Sequence, residues 1–369
     1  MDTADCVCEH SGETGLLGMN DYFHRVATQS PTRLWINNAT PAQAQAALEL
    51  GAIGATTNPT YAARLLREDP HATALLERAV RESDTDDEAV DRFIMAAVSR
   101  LQGVFLPLYE ESRGKSGLVA IQGDPRVNAD TDAILDGASR YCELGENIIV
   151  KVPATLAGAR ALEELTAMNV PTIATLGFSV DQALYMAETY RDASERSGHQ
   201  PPCYVTFIAG ILDECLAEDS EKLDHPVPPD WVDQAGCQGT REAHRIYRER
   251  EYGAVLMGGG ARGARHFTEL VGGDLHITIG WSLADQLAET DGPVIERIDE
   301  TIPGEMEAAL ATHLPDYVKS SKPGSMSPEE FVQFRPVRAF QKTFLDAVDT
   351  MFGKSRECRK HMEGVSRSS

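Results

Sequence analysis

Nowhere does this chain stay apolar for the roughly 18 residues that a membrane-spanning helix requires, so no such span is expected. Basic residues are scarce: 34 Lys and Arg stand against 57 Asp and Glu, a formal charge of −23. That balance argues against non-specific binding to nucleic acid or to an anionic membrane, though it allows a local basic pocket. Cysteine is sparse and unpatterned. Seven cysteines in 369 residues, an odd number, fit a reducing compartment better than a disulfide scaffold. Cys6 and Cys8, with His10 close by, are at most half a metal site, and Cys142, Cys203, Cys215, Cys237 and Cys358 are too scattered to supply the other half. No metal is expected. Residues 1–20 carry Asp2, Asp5, Glu9 and Glu13 and lack the basic and apolar segments of a signal peptide, so the expected location is cytoplasmic. Repeats and low-complexity tracts are absent.

What is present is an alternation. Short, mostly β-branched or aliphatic runs at 34–38, 53–57, 118–122, 148–153, 172–176, 204–208, 254–257 and 275–279 read as fully buried strands. Between them, 41–50, 129–144, 156–168, 180–196, 241–251, 262–271 and 282–289 show helical periodicity, the first opening on Thr40 as N-cap and Pro41 at its first turn. Eight such units predict an α/β protein, a single (β/α)8 TIM-type barrel. The doubly wound alternative needs a glycine-rich phosphate turn after its first strand, and Asn37-Asn38-Ala39-Thr40 is not one. Extra helices are expected at the N-terminus and, after the second strand, over 84–109, and an acidic, proline-rich loop over 213–238. One or two further helices are expected over 303–352, split at Lys322-Pro323-Gly324. The expected division is a polar leader at 1–30, the barrel with its C-terminal helices at 31–353, and a tail at 354–369.

Catalytic groups of such barrels sit at the C-terminal ends of strands, where every second side chain points inward. Lys151 stands out. It lies in Ile148-Ile149-Val150-Lys151-Val152-Pro153 with no neighbouring acid, and desolvation there favours the neutral amine that a Schiff-base nucleophile requires. A structural reading, in which the lysine reaches water or pairs with an acid from another strand, is equally open to the strand alone. Asn37, Asn58, Gln122 and Thr175 are inward polar candidates, and with Lys151 they suit a polyhydroxy substrate.

Gly54-Ala55-Thr56-Thr57-Asn58-Pro59-Thr60 resembles the first transaldolase signature. Ile149 through Gly158 resembles the second, built around the Schiff-base lysine. The similarity runs from about residue 34 to 287, plus the C-terminal helix. The resemblance implies a barrel in which Lys151, on the fourth strand, forms an imine with a ketose. It also implies substrate-hydroxyl and water-binding roles for Asn58 and Thr175, with Thr57 beside them. No cofactor is implied. The partner is a small sugar or sugar phosphate, as in pentose-phosphate carbohydrate metabolism, and a homodimer is compatible.

Departures from the family pattern fall at the proton-transfer and phosphate positions. Asn37 stands where the family has an acid/base aspartate. Gln122 replaces the transferases' glutamate, as in the fructose-6-phosphate aldolase branch, but that branch's tyrosine on the sixth strand reads Phe207. Ile173 replaces a usual asparagine. The phosphate arginine is Gly210, and a serine–arginine pair reads Gly259 and Ala261, leaving Arg262 and Arg265 as nearby substitutes. The expectation is Schiff-base aldol chemistry on a non-standard ketose or ketose phosphate, with Lys151, Gln122, Thr175 and Asn37 as catalytic residues. Asn58, Thr57, Phe207, Arg262 and Arg265 are the expected substrate-binding residues. The alternatives are an ordinary transaldolase, a ketose epimerase working by retro-aldol and aldol steps, and a non-catalytic binding barrel.

Overall fold

The computed structural model describes residues 21–368. Eight parallel strands close into a barrel in chain order. They are β1 Arg33–Asn37, β2 Gly54–Thr56, β3 Leu118–Gln122, β4 Ile148–Pro153, β5 Thr172–Thr175, β6 Cys203–Ile208, β7 Val255–Gly259 and β8 Leu275–Gly280. Closure is made by β1 against β8, where Arg33 to Asn37 pair with His276 to Gly280. Helix α1 (Tyr22–Gln29) precedes β1 and α2 (Pro41–Glu49) follows it, while α3 (Pro59–Glu68), α4 (Pro70–Arg81) and α5 (Asp86–Ser112) separate β2 from β3. Next come α6 (Thr131–Cys142), α7 (Leu156–Ala167) and α8 (Val180–Ser197), each after its strand. After β6 stand α9 (Ala209–Ser220), α10 (Pro229–Val232) and α11 (Ala235–Glu249); α12 (Arg265–Thr268) follows β7 and α13 (Trp281–Ala288) follows β8. The chain continues with α14 (Gly304–His313), α15 (Pro315–Ser321) and α16 (Arg335–Ser368). No helix among the described residues is long and apolar enough to cross a membrane.

Local chemistry sets the βα junctions. At α2 the Thr40 side chain accepts from the Gln43 N–H at 3.3 Å, and the Gln43 side chain accepts from the Thr40 N–H at 2.9 Å. This reciprocal cap satisfies two otherwise orphaned donors. Asn58, Thr155 and Ser179 cap α3, α7 and α8 one way, their side chains accepting from the N–H of Thr60, Gly158 and Gln182. Capping at these turns starts each helix directly above its strand.

Three segments differ from the sequence reading. The expected loop over 213–238 is largely helical: α9 buries Leu212, Cys215 and Leu216 and exposes Glu214 and Glu218, an amphipathic face masked in the sequence by Pro226, Pro228 and Pro229. The helix expected over 262–271 is a single turn, Arg265–Thr268. The C-terminal region holds three helices, and α16 runs through residue 354 without a break. Pro323 follows the end of α15, as proline does where a helix cannot continue.

A small cluster of Trp35, Leu118, Ala120, Ile149, Ile173, Tyr204 and Met257 fills the lumen, separate from the larger core between sheet and helices. Strand alternation then assigns the layer above it: Asn37, Thr56, Gln122, Lys151, Thr175, Thr206, Gly259 and Thr278 share the inward phase. Helix α16 packs across α3, α4, α5 and the turn at Pro125–Val127, on the side of the barrel where the site lies.

Candidate active site at the barrel mouth

Lys151 is the one residue of β4 that is not fully buried, because its side chain faces a cavity. Its Nζ donates to the Thr57 carbonyl oxygen at 2.8 Å. Thr57 is held in turn by its own hydroxyl, which donates to the Ala120 carbonyl at 2.7 Å. Desolvation lowers the Lys151 pKa from its ordinary 10.5 to about 7, and no carboxylate among the described residues opposes it. At neutral pH a large share of the amine is therefore free, with its position set by one hydrogen bond.

The cavity has a volume of about 520 Å³, and Gln122, Asn128, Pro153 and Thr175 line it beside Lys151. Gln122 is only 5% exposed, yet its Oε1 has no hydrogen-bond partner among the described residues. Asn128 Nδ2 is unpartnered too, and so is the Thr206 hydroxyl in the inward layer. Buried polar atoms are rarely left unpaired, so an acceptor and a donor aimed into one cavity mark a place for a ligand or for water. Asn128 and Thr206 were not singled out in the sequence. Asn128 follows β3 in an irregular loop, and Thr206 sits in a strand buried on both faces.

The other predicted residues spread over the mouth. Asn37 lines a second cavity of about 620 Å³ with Asn38, Gln43, Arg64, Arg262 and Trp281 among its walls. Its Oδ1 accepts from the Thr56 hydroxyl at 3.0 Å, and that hydroxyl also bonds Thr278 Oγ1 at 2.7 Å. Asn58 is engaged as a cap: its Oδ1 accepts from the Thr60 N–H at 3.0 Å, the Thr60 hydroxyl at 2.6 Å and Asn38 Nδ2 at 3.3 Å. Neither cavity counts Asn58 among its walls.

Phe207 is fully buried in the core between sheet and helices. A Cβ on Gly239 of α11 would lie 2.6 Å from its ring, so the ring faces that helix and not the lumen. The inward residue of β6 at this level is Thr206, paired in register with Met257. Arg262 reaches the second cavity, with its Nε donating to Glu214 at 2.6 Å. Arg265 is turned away from both cavities, onto Asp233 at 2.8 Å, with Asp213 at 3.7 Å. Asp213 is buried and bonded to His266 Nε2 at 2.9 Å and to the Gly236 N–H at 2.7 Å; desolvation raises its pKa. Position 210 itself has no room for an arginine side chain. A Cβ there would sit 2.3 Å from the Gly260 carbonyl oxygen, so the two chain segments touch through Gly210. The Cys6, Cys8 and His10 group lies outside the described residues; among those residues no cluster of metal-binding side chains occurs.

Fold and site thus define a (β/α)8 barrel protein with a desolvated amine in a polar-lined cavity at its mouth. The family model described as Transaldolase/Fructose-6-phosphate aldolase matches residues 34–320, and the chain belongs to that family. A transaldolase of Thiobacillus denitrificans is 27% identical over 246 residues, covering 63% of this chain and 68% of its own. One from Aeromonas salmonicida is 28% identical over 286 residues, covering 76% and 79%. Transaldolase 1 of Streptomyces avermitilis is 32% identical over 148 residues, 39% of each chain. Family membership supports an enzyme of the aldolase and transferase type.

Proposed function

We propose that this protein makes and breaks carbon–carbon bonds of a ketose or hydroxyketone through an imine at Lys151. The observation that carries the reading is the neutral-leaning amine of Lys151 in one cavity with Gln122 and Thr175. The free amine adds to the substrate ketone and water leaves, giving a protonated imine. The hydroxyl on the carbon two positions from the imine carbon loses its proton and becomes the aldehyde carbonyl, the bond from that carbon to the intervening carbon breaks, and its electron pair enters the iminium to form an enamine. An aldehyde is released. The enamine then attacks a second aldehyde, or takes a proton, and water hydrolyses the imine to free the amine.

With Asn37 and Gln122 in place of carboxylates, the proton passes to water positioned by Thr175 and Gln122. General acid–base groups are worth roughly 10² to 10⁴-fold, so turnover is expected to be slow on ordinary sugar phosphates. The substrate's phosphate finds Gly210, Gly259 and Ala261 where the family pattern has side-chain donors, which favours a non-standard substrate. Borohydride added with dihydroxyacetone or fructose tests the reading. A reduced adduct is expected on the Lys151 peptide by mass spectrometry and is expected to vanish in Lys151→Met. Full C–C activity in Lys151→Met would refute it.

A further inference from the structure

Granting the imine at Lys151, the walls of the same cavity bear on what the enzyme accepts. At about 520 Å³ it lies within the roughly 300–1,000 Å³ of sites that house drug-sized ligands, far more than a triose unit requires. Its polar end is Lys151 with the unpartnered Gln122 and Asn128 amides. Away from that end the walls turn apolar: Val90, Ile94 and Met95 of α5, Ile134 of α6, and Val348 and Phe352 of α16. Phe352 is held in place by Arg126, whose guanidinium lies 4.2 Å from the ring centroid.

The charges on this cavity are wrong for a phosphate. Asp87, Glu88, Asp91, Asp124, Asp136 and Glu143 line it, against Arg92, Arg126 and Arg140. Arg126 is already engaged by Asp124 at 2.7 Å and Asp87 at 2.6 Å, and Arg140 by Asp91 at 2.9 Å and Asp136 at 2.5 Å. A dianion entering here meets surplus carboxylate and guanidiniums that are already paired.

We propose that the aldehyde partner of the reaction is unphosphorylated and carries an apolar substituent, which lies between α5 and α6 and reaches toward Phe352. In the synthetic direction, the enamine carbon of the Lys151-bound donor attacks the aldehyde carbon. The new C–C bond forms, the aldehyde oxygen takes a proton from water, and a second water hydrolyses the imine.

The test uses the full-length protein with dihydroxyacetone as donor. Acceptors are the linear aldehydes from acetaldehyde to hexanal, set against erythrose 4-phosphate and glyceraldehyde 3-phosphate. Burial of each added methylene predicts a rise in kcat/KM of up to about fourfold, so hexanal exceeds both phosphorylated aldehydes. In Ile134→Trp, which fills the apolar arm, the hexanal-to-acetaldehyde ratio falls at least about tenfold. Ile134→Ala, should the tryptophan variant not fold, moves the ratio in favour of longer or branched aldehydes. Borohydride trapping of dihydroxyacetone on Lys151 is run beside these rates. An adduct with no dependence on chain length, or with preference for the phosphorylated acceptors, overturns the apolar-substituent proposal and leaves the imine reading standing. No adduct with any ketone overturns the imine reading and this proposal with it.

Discussion

The two ends of the barrel lumen each hold one nitrogen base, and the two are handled in opposite ways. At the C-terminal end, Lys151 gives one hydrogen to the Thr57 carbonyl and otherwise faces an open cavity. At the N-terminal end, the His276 Nδ1 accepts from Trp35 Nε1 at 2.9 Å, and its ring sits 5.0 Å from that of Tyr204. Desolvation lowers both pKa values, Lys151 to about 7 and His276 to about 3, with Arg33 adding to the effect on the histidine. Only the lysine is left with room for a carbonyl beside it. Desolvation makes a nitrogen neutral; access and an unsatisfied neighbour such as Gln122 make it available for chemistry.

The strongest way to break this contrast is to remove each base. Lys151→Met is expected to lower C–C activity by at least about 10⁴-fold. It is also expected to raise stability at neutral pH. The unfolded lysine titrates near 10.5 and the folded one near 7, so wild-type stability is lost as pH falls through that window, by up to about 1.4 kcal/mol per unit. His276→Leu has the opposite profile: activity is retained, while stability falls by about 1–3 kcal/mol because Trp35 Nε1 loses its acceptor. The wild type also loses stability from pH 6.5 toward about 3, where the unfolded histidine is protonated and the folded one is not; the variant lacks that slope. Urea titrations across pH, with rates on one ketose, check all of this. Abolished activity in folded His276→Leu would erase the distinction between the two ends.

The next effect sharpens the role of the lysine. Imine formation should rise about tenfold per pH unit up to about 7 and then level off, following the free amine. A single-turnover borohydride trap at each pH measures it; an onset near 10 would show an ordinary, solvated lysine. Asn37→Asp places a carboxylate on the strand next to the Thr57 turn that holds Lys151. It favours the ammonium, so the onset should move up by about one unit, while the rate above the onset increases. A slower rate at every pH would mean that Asn37 serves other chemistry, as an epimerase or a binding barrel would require.

The smallest expected effect concerns the second cavity. Glu214→Ala releases Arg262, and inorganic phosphate should then inhibit more tightly, by no more than about fivefold, because exposed ion pairs are worth roughly 0.2–1 kcal/mol. Tight phosphate binding in the wild type that survives Arg262→Ala would place the anion elsewhere.

How far the chain was legible depends on what each face of an element touches. The strands read well because burial on both sides leaves a continuous apolar run, and β3 and β4 begin and end where the pattern placed them. That same two-sided burial hid the phase of β6. In Cys203–Ile208 every residue is buried, so periodicity has nothing to distinguish Thr206 from Phe207 as the inward neighbour. Lys151 was visible because a cation inside an aliphatic run contradicts its surroundings. Asn128 was not, since an asparagine in a polar loop contradicts nothing.

What the sequence by itself determined is therefore the order and spacing of eight buried strands, their helix-starting turns and the isolated lysine, all properties of residues within a few positions of one another. Tertiary structure alone decided which distant groups meet. The pairing of Tyr204 to Ile208 with Val255 to Gly259 sets which face of β6 looks inward. The contact of Gly210 with the Gly260 carbonyl leaves no space for a side chain at that position. Glu214 and Asp233, both after β6, take up the two arginines after β7. Helices α5, α6 and α16, far apart in the chain, together wall the cavity beside Lys151. Such contacts depend on closure of the barrel, and no local pattern of residues encodes the distance between two elements until the sheet between them has closed.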